Sequence, residues 1–130
     1  MRHMASIVTA ALVSLTACGG VTSPQGGGGG SGGGPVGNVT VGNIFFRSVH
    51  NGSQNAAVDT IAAGDSITWA WNAAGSHSIQ STGGAPAIFR NSVVMSHAND
   101  TYTVTFRNPG TYSYQCAVHG SAMTGRIVVQ

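Results

Sequence analysis

The residues with the most evident chemistry lie close together near the C-terminus, in the segment 114–123, which reads YQCAVHGSAM. Cys116, His119 and Met123 there supply a thiol, an imidazole and a thioether. Sulfur ligands select soft metal ions such as copper, and imidazole suits several transition metals. The chain's other cysteine, Cys18, lies far upstream. The segment therefore predicts either a metal site or a single buried thiol that packs as a small hydrophobic side chain, and it excludes a disulfide within the domain.

A further donor lies outside this segment. His77 stands in GSHSI at 75–79, after a tryptophan-containing run that predicts a strand. Two imidazoles and a thiolate, with a weak axial thioether, form the ligand set of a type 1 copper site. Met95 is an alternative thioether, although its separation from the cysteine along the chain favours a packing role. Zinc could be held by one cysteine and two histidines, but zinc leaves Met123 unexplained.

The elements that must position these donors are strands. Apolar and polar residues alternate in several short runs, and the predicted strands are 39–49, 66–72, 101–106, 111–116 and 125–130. Near the C-terminus this alternation puts Tyr112, Tyr114 and Cys116 on one face, so the thiol points into the core. His119 and Met123 are expected in the loop before the last strand. Short strands joined by polar turns, with no helical segment, predict an all-β protein with a two-sheet sandwich.

Two segments, 106–129 and 64–79, resemble the cupredoxin family, and the plastocyanin-like group in particular. The resemblance covers the domain from about Val39 onward. It implies a Greek-key β-sandwich that carries one electron on one type 1 copper ion. By position it also implies a ligand set, with equatorial His77, Cys116 and His119 and axial Met123.

The sequence departs from the family at two positions beside these ligands. Family members often have an asparagine after the first ligand histidine, where Ser78 stands here, and Ala117 follows the cysteine. Ser78 keeps the backbone amide but has a shorter side chain, and Ala117 offers it no side-chain donor. Hydrogen bonds around a metal site tune its potential and rigidity, so the family's potential does not carry over.

In cupredoxin-like sites the second histidine reaches the surface at one end of the sandwich. The resemblance thus implies a neutral docking surface made of Ala117, Val118, His119, Gly120 and Ala122. Contacts in electron transfer are small and weak, so the expected partners are redox proteins bound transiently. The implied function is transfer of single electrons between such partners outside the cytoplasm, by a domain that is expected to be monomeric.

Two other functions remain open. Copper buffering or delivery is the main alternative, although exposed runs rich in methionine and histidine, which would favour it, are absent from the sequence. An enzyme with Cys116 as nucleophile and His119 as base is disfavoured. No asparagine or aspartate is evidently placed to orient His119, and the thiol is expected to face the core. The protein is therefore expected not to be an enzyme.

The N-terminus predicts export and anchoring. A basic start, an apolar run and a small-residue end are typical of a secretory signal, and LTAC, ending at Cys18, resembles the bacterial lipoprotein box. The alternative is an ordinary cleaved signal with a chance cysteine. The predicted organisation is a lipoprotein signal peptide at 1–17, a lipidated cysteine and flexible glycine-rich tether at 18–37, and the copper domain at 38–130. This predicts an extracytoplasmic protein, lipid-anchored to a bacterial membrane on its periplasmic side or at the cell surface.

Composition limits the remaining partners. The chain has 130 residues, long enough for one modest domain, with five strong bases, all arginine, and three acids, all aspartate. So few basic residues give no electrostatic footprint for nucleic acid. The histidines His50 and His97 stand in polar segments and are expected at the surface.

Overall fold

A computed structural model of the chain describes residues 38–130, and this range contains eight strands. They are β1 (Val39–Gly42), β2 (Phe45–Ser48), β3 (Ala57–Ile61), β4 (Ser66–Trp71), β5 (Gln80–Ser81), β6 (Thr101–Thr105), β7 (Gly110–Cys116) and β8 (Gly120–Val129). Within the same range there is no helix that could cross a membrane. The predicted signal peptide, Cys18 and the tether lie outside the described residues.

The strands form two four-stranded sheets. One has the order β2-β1-β4-β6 and the other β3-β8-β7-β5. Each sheet contains one parallel pair, β1 with β4 and β3 with β8, and the remaining pairs are antiparallel. The expected all-β, two-sheet sandwich is confirmed.

The alternation in β7 orients the candidate thiol as expected. Tyr112, Tyr114 and Cys116 are all buried, whereas the residues between them are exposed or half-buried. The Tyr114 ring packs edge-on against two rings of the opposite sheet, at centroid distances of 5.1 Å from Phe46 and 5.2 Å from Trp69. Aromatic pairs prefer such edge contacts, and these fix the end of β7 that carries the cysteine.

The expected first strand, 39–49, is wrong as a single element. The chain reverses after Gly42, and β1 and β2 pair as an antiparallel hairpin that joins Gly42 to Phe45. Two residues, Asn43 and Ile44, make the turn. The Asn55 side chain holds it, donating to the Ile44 carbonyl (2.9 Å) and accepting from the Phe46 amide (3.1 Å).

The last strand begins at Gly120 rather than at residue 125, so the expectation that Met123 lies in a loop before it is also wrong. The pairing of β7 with β8 is irregular here, because Gln115 pairs with Thr124 while Cys116 pairs with Gly120. The intervening residues of β8 form a bulge. Bulges re-aim side chains and are common beside functional sites.

Candidate metal centre

Cys116 and His119 approach each other because a tight turn follows β7. Cys116 is the last residue of that strand and is fully buried. The next three residues turn, and β8 starts at Gly120 with a left-handed φ of 56° that glycine adopts without strain. His119 is thereby folded back beside the thiol, where its Nδ1 lies 3.4 Å from Cys116 Sγ.

His77 reaches the same place from the connection between β4 and β5. Its backbone forms an isolated antiparallel bridge with Met95, with hydrogen bonds of 3.0 and 2.9 Å between their amides and carbonyls. The bridge fixes the His77 backbone outside the sheets. The side chain is buried, and its Nδ1 lies 3.9 Å from Cys116 Sγ.

The three donor groups fit one copper ion. One ligand atom from each of His77, Cys116 and His119 lies within 4.8 Å of the others. Donors that share a metal in a trigonal plane lie roughly 3.5–4 Å apart, given metal–ligand bonds of about 2.0–2.3 Å. The two sulfur–nitrogen distances, 3.4 and 3.9 Å, match this spacing. Two imidazoles and one thiol are also the donor types that a type 1 copper site requires.

Burial favours the neutral form of His77, which is the form that can bind a metal ion. Loss of hydration lowers the pKa of His77 from its ordinary value of 6.5, and the neighbouring His119 imidazole lowers it further. The two rings are close, with centroids 4.9 Å apart. A histidine must be neutral to bind a metal ion, so the site favours the ligand form of His77 at neutral pH.

Two methionines lie in segments that adjoin these donors. Met123 is fully buried and packs in the same core cluster as Cys116, at the bulge of β8. Met95 is half-buried against that core and is bridged to His77 through its backbone. Sequence separation had placed Met95 away from the cysteine loop, but the structure brings its backbone to the first histidine.

The departure at Ser78 has a structural answer. Ser78 is buried, and its hydroxyl oxygen accepts a hydrogen bond of 3.1 Å from the Ala117 backbone amide. This bond ties the His77 segment directly to the turn after Cys116. Ala117 has no side-chain donor, but its backbone amide takes that place. The short Ser78 side chain can therefore still join the two ligand segments.

Sequence reasoning missed one residue beside the site, Asn43. Its Oδ1 lies 3.4 Å from His77 Nε2, the ring nitrogen that does not face the thiol. The two residues are 34 positions apart. Only the β1–β2 turn, which the sequence analysis did not predict, brings them together.

The other two histidines of residues 38–130, His50 and His97, lie outside the cluster, as expected for surface residues. Both are exposed, and each contacts an aspartate: His50 Nδ1 lies 2.9 Å from Asp59 and His97 Nδ1 lies 3.6 Å from Asp100. Within the described range, neither belongs to the group of side chains that could hold a metal ion.

The surface beside His119 is neutral. Val118 is 51% exposed, and Ala117 and Ala122 are also exposed. His119 and Gly120 are half-buried between them. These five residues together are called the His119 patch below.

Comparison with known proteins decides the family. The family described as "Copper binding proteins, plastocyanin/azurin family" matches residues 54–130, which is more than half of the chain. The chain belongs to this family. The cupredoxin resemblance and the expectation of copper as cofactor are thereby confirmed. The matched range includes all four candidate ligands but not Asn43.

Individual cupredoxins resemble the domain over part of their length. Plastocyanin from the chloroplast of Tetradesmus obliquus is 37% identical over 81 residues, 57% of this chain and 56% of that protein. Amicyanin-alpha of Methylorubrum extorquens is 37% identical over 71 residues, 54% and 58% of the two chains. The chain thus spans somewhat more than half the length of these relatives. A solved structure of an oxidized amicyanin variant superposes with a TM-score of 0.56 at 22% identity, over 71% of this chain and 79% of that one, which supports the fold.

Proposed function

We propose that the domain carries single electrons on one type 1 copper ion, between redox partners outside the cytoplasm. The observation that carries this is the buried Cys116 sulfur, which lies 3.4 and 3.9 Å from the Nδ1 atoms of two histidines. In this proposal His77, Cys116 and His119 are the equatorial ligands and Met123 is the axial one. Copper bound there would supply one-electron chemistry by cycling between Cu(I) and Cu(II).

The surrounding residues suit electron transfer. His77 and Cys116 are buried, so water is kept from them. The backbone bonds between Met95 and His77, and the bond from the Ala117 amide to the Ser78 hydroxyl, hold their segments in place. His119 is the one equatorial candidate that is partly exposed, and it lies in the His119 patch. We infer that electrons enter and leave through this histidine while a partner docks transiently on the patch.

Two alternatives are less well supported. For copper buffering or delivery the metal must leave easily, whereas two of the three donors are buried and each ligand segment is fixed by backbone hydrogen bonds. A cysteine-dependent enzyme needs substrate to reach the thiol, but Cys116 has no exposed surface. The proposed function is therefore non-enzymatic.

Visible and electron paramagnetic resonance spectra of the purified protein with Cu(II) test the function. We expect one copper per chain and an intense visible band from thiolate-to-copper charge transfer, because cysteine binds metals as the thiolate. Cys116→Ser should abolish the band and leave the fold intact by circular dichroism. His97→Ala, which changes a histidine outside the cluster, should keep it. Copper uptake without the band, or a band that survives Cys116→Ser, would refute the assignment.

We further propose that the protein is exported and anchored by lipid on Cys18, with 1–17 as the signal peptide and 18–37 as a tether to the domain at 38–130. The protein would then be extracytoplasmic and lipid-anchored to a bacterial membrane, on its periplasmic side or at the cell surface. The sequence LTAC at Cys18 and the glycine-rich segment after it support this.

Membrane fractionation tests the anchor. Cys18→Ala should move the domain from the membrane to the soluble fraction, because the lipid attachment site is gone. Cys116→Ser removes the other cysteine and should stay with the membrane. Equal retention of the Cys18→Ala variant and the unaltered protein would contradict lipidation at this residue.

A further inference from the structure

The two ring nitrogens of His77 have different neighbours. Nδ1 faces the Cys116 sulfur at 3.9 Å, and Nε2 faces the Asn43 side-chain oxygen at 3.4 Å. An amide oxygen can only accept a hydrogen bond. The contact therefore favours the neutral tautomer that carries its proton on Nε2 and leaves the Nδ1 lone pair directed at the thiol.

The space for this contact depends on Gly75. A Cβ atom added at Gly75 would lie 2.3 Å from Asn43 Oδ1 and 3.0 Å from His77 Nε2. Both distances are shorter than ordinary van der Waals contacts. Any larger residue at this position would push the amide and the imidazole apart, so the absent side chain is what allows them to meet.

The turn that presents Asn43 is held in an unfavourable conformation. Ile44, the next residue, has a φ of 61°, which is a genuine outlier for a β-branched side chain. Such residues cost of order 1–3 kcal/mol and persist only where the surroundings impose them. Here the Asn55 side chain bonds both the Ile44 carbonyl and the Phe46 amide, and so fixes the turn that aims Asn43 at His77.

We propose that Asn43 is a positioning residue of the candidate copper centre, which orients the His77 ring and keeps its proton on Nε2. Partners on the far nitrogen of a ligand histidine fix its tautomer and orientation, and losing them typically costs ten- to a hundred-fold in metal affinity. Asn43 comes from the β1–β2 turn, outside residues 54–130 that match the family. Its role in copper retention rests on the proposed function, whereas its effect on the tautomer does not.

The first experiment needs no metal. Long-range nitrogen–proton correlation spectra of the copper-free protein, above about pH 8 where histidine is neutral, report the tautomer of each ring. We expect His77 to be mainly the Nε2–H form. Asn43→Leu removes the acceptor at similar size and should give a mixture, whereas Asn43→Asp keeps an acceptor oxygen and should retain the Nε2–H form. Asn72→Leu, at an exposed asparagine just after β4, is the control and should change nothing.

The second readout is the rate at which a chelator removes copper from the loaded protein. Asn43→Leu should release copper about ten-fold faster or more, and Asn43→Asp and Asn72→Leu should release it like the unaltered protein. A chain that binds no copper but shows these tautomers would refute the copper function and leave the role of Asn43 intact. A dominant Nδ1–H form in the unaltered protein would overturn the proposal even if the leucine variant failed to fold. A folded leucine variant with unchanged tautomer and release rate would also overturn it.

Discussion

At the scale of single residues, the candidate ligands could be predicted because their chemistry is rare and their spacing is short. One domain thiol with a histidine three residues later limits the possibilities, and strand alternation indicated that Cys116 points inward. His77 needed the family resemblance as well. The contacts of Asn43 and Met95 with His77 could not be predicted, because they join segments distant in sequence, and nothing in an asparagine or a methionine alone indicates such a contact.

Substitution of each methionine can show whether Met123 or Met95 is the axial ligand. A long, weak thioether bond tunes the potential more than the affinity. We therefore expect Met123→Gln to keep copper and the visible band but to lower the reduction potential, because an oxygen donor favours Cu(II). Voltammetry and the visible spectrum measure the two effects. Met95→Leu should leave both unchanged, and if only this variant shifts the potential, Met95 is the thioether instead.

Removal of the hydroxyl group from either of two buried tyrosines of β7 should change the free energy of unfolding in opposite directions. The buried Tyr114 hydroxyl has no acceptor for its proton among residues 38–130, since the neighbouring Trp69 indole can only donate, whereas Tyr112 donates to the Asn108 carbonyl at 2.9 Å. An unsatisfied buried polar group costs about 1–3 kcal/mol, and a made hydrogen bond contributes about 1 kcal/mol. Tyr114→Phe should thus raise the free energy of unfolding by about 1 kcal/mol, and Tyr112→Phe should lower it by about as much. Urea denaturation of the copper-free protein measures both.

The contribution of Tyr114 to stability also depends on pH. Burial raises the pKa of Tyr114 above its ordinary value of 10.0. Above that value the unfolded chain releases the phenol proton while the folded chain keeps it, so stability falls as pH rises. Tyr114→Phe should lose less stability than the unaltered protein above about pH 10. Equal losses would contradict a raised pKa of Tyr114, and a destabilised Tyr114→Phe at neutral pH would mean that the hydroxyl has a stabilising partner.

At the scale of elements, strands with strict alternation were predictable and irregularities were not. The faces of β6 and β7 follow from alternation alone. The break between β1 and β2 was missed because β-prone residues continue on both sides of it, although Gly42 and Asn43 are turn-forming types. The bulge in β8 was missed because it depends on the register between β7 and β8, which strand alternation does not determine.

The β1–β2 turn offers a test of backbone strain. Ile44→Gly should stabilise the protein by about 1 kcal/mol, because glycine adopts a positive φ without the penalty of a side chain. Val49→Gly is the matched control, since Val49 is also β-branched and equally exposed, at 56% against 54%, but does not have a positive φ. Val49→Gly should destabilise by about 0.5–1 kcal/mol, the entropic cost of glycine. Thermal denaturation compares the two, and loss of stability in Ile44→Gly would contradict a strained turn.

At the scale of the whole molecule, the fold class followed from composition and strand pattern, whereas the pairing of strands did not. Alternation assigns residues to faces but does not say which strands are neighbours. The parallel pairs β1–β4 and β3–β8 join segments far apart in sequence, and only the three-dimensional structure reveals them. The β1–β4 pair also brings Asn43, which follows β1, to the end of β4 that leads to His77.

The low charge of the chain leads to a prediction about how its association with a redox partner depends on salt. With five strong bases and three acids in the chain, there is little charge to steer a partner, and steering is what makes association depend on ionic strength. Stopped-flow rates of electron exchange with the natural partner should therefore change only slightly with salt. Ala122→Glu, in the His119 patch, should slow exchange without changing the copper spectrum. Thr60→Glu adds the same charge on β3, opposite Val128 at the other end of β8, and should not slow it. A steep salt dependence, or fast exchange in Ala122→Glu, would contradict docking on the patch.

The strand order also determines when the protein can fold during its synthesis. β8 is the last strand in the sequence and a central strand of its sheet, lying between β3 and β7. β3, an edge strand, is made some sixty residues earlier and has no neighbour in its sheet until β8 has been made. Pairings of such long sequence separation form slowly, because the loop must close before the contacts form. Cys116 pairs with the start of β8 and His119 lies in the turn between β7 and β8, so we expect the three donors to come together only after β8 has been made.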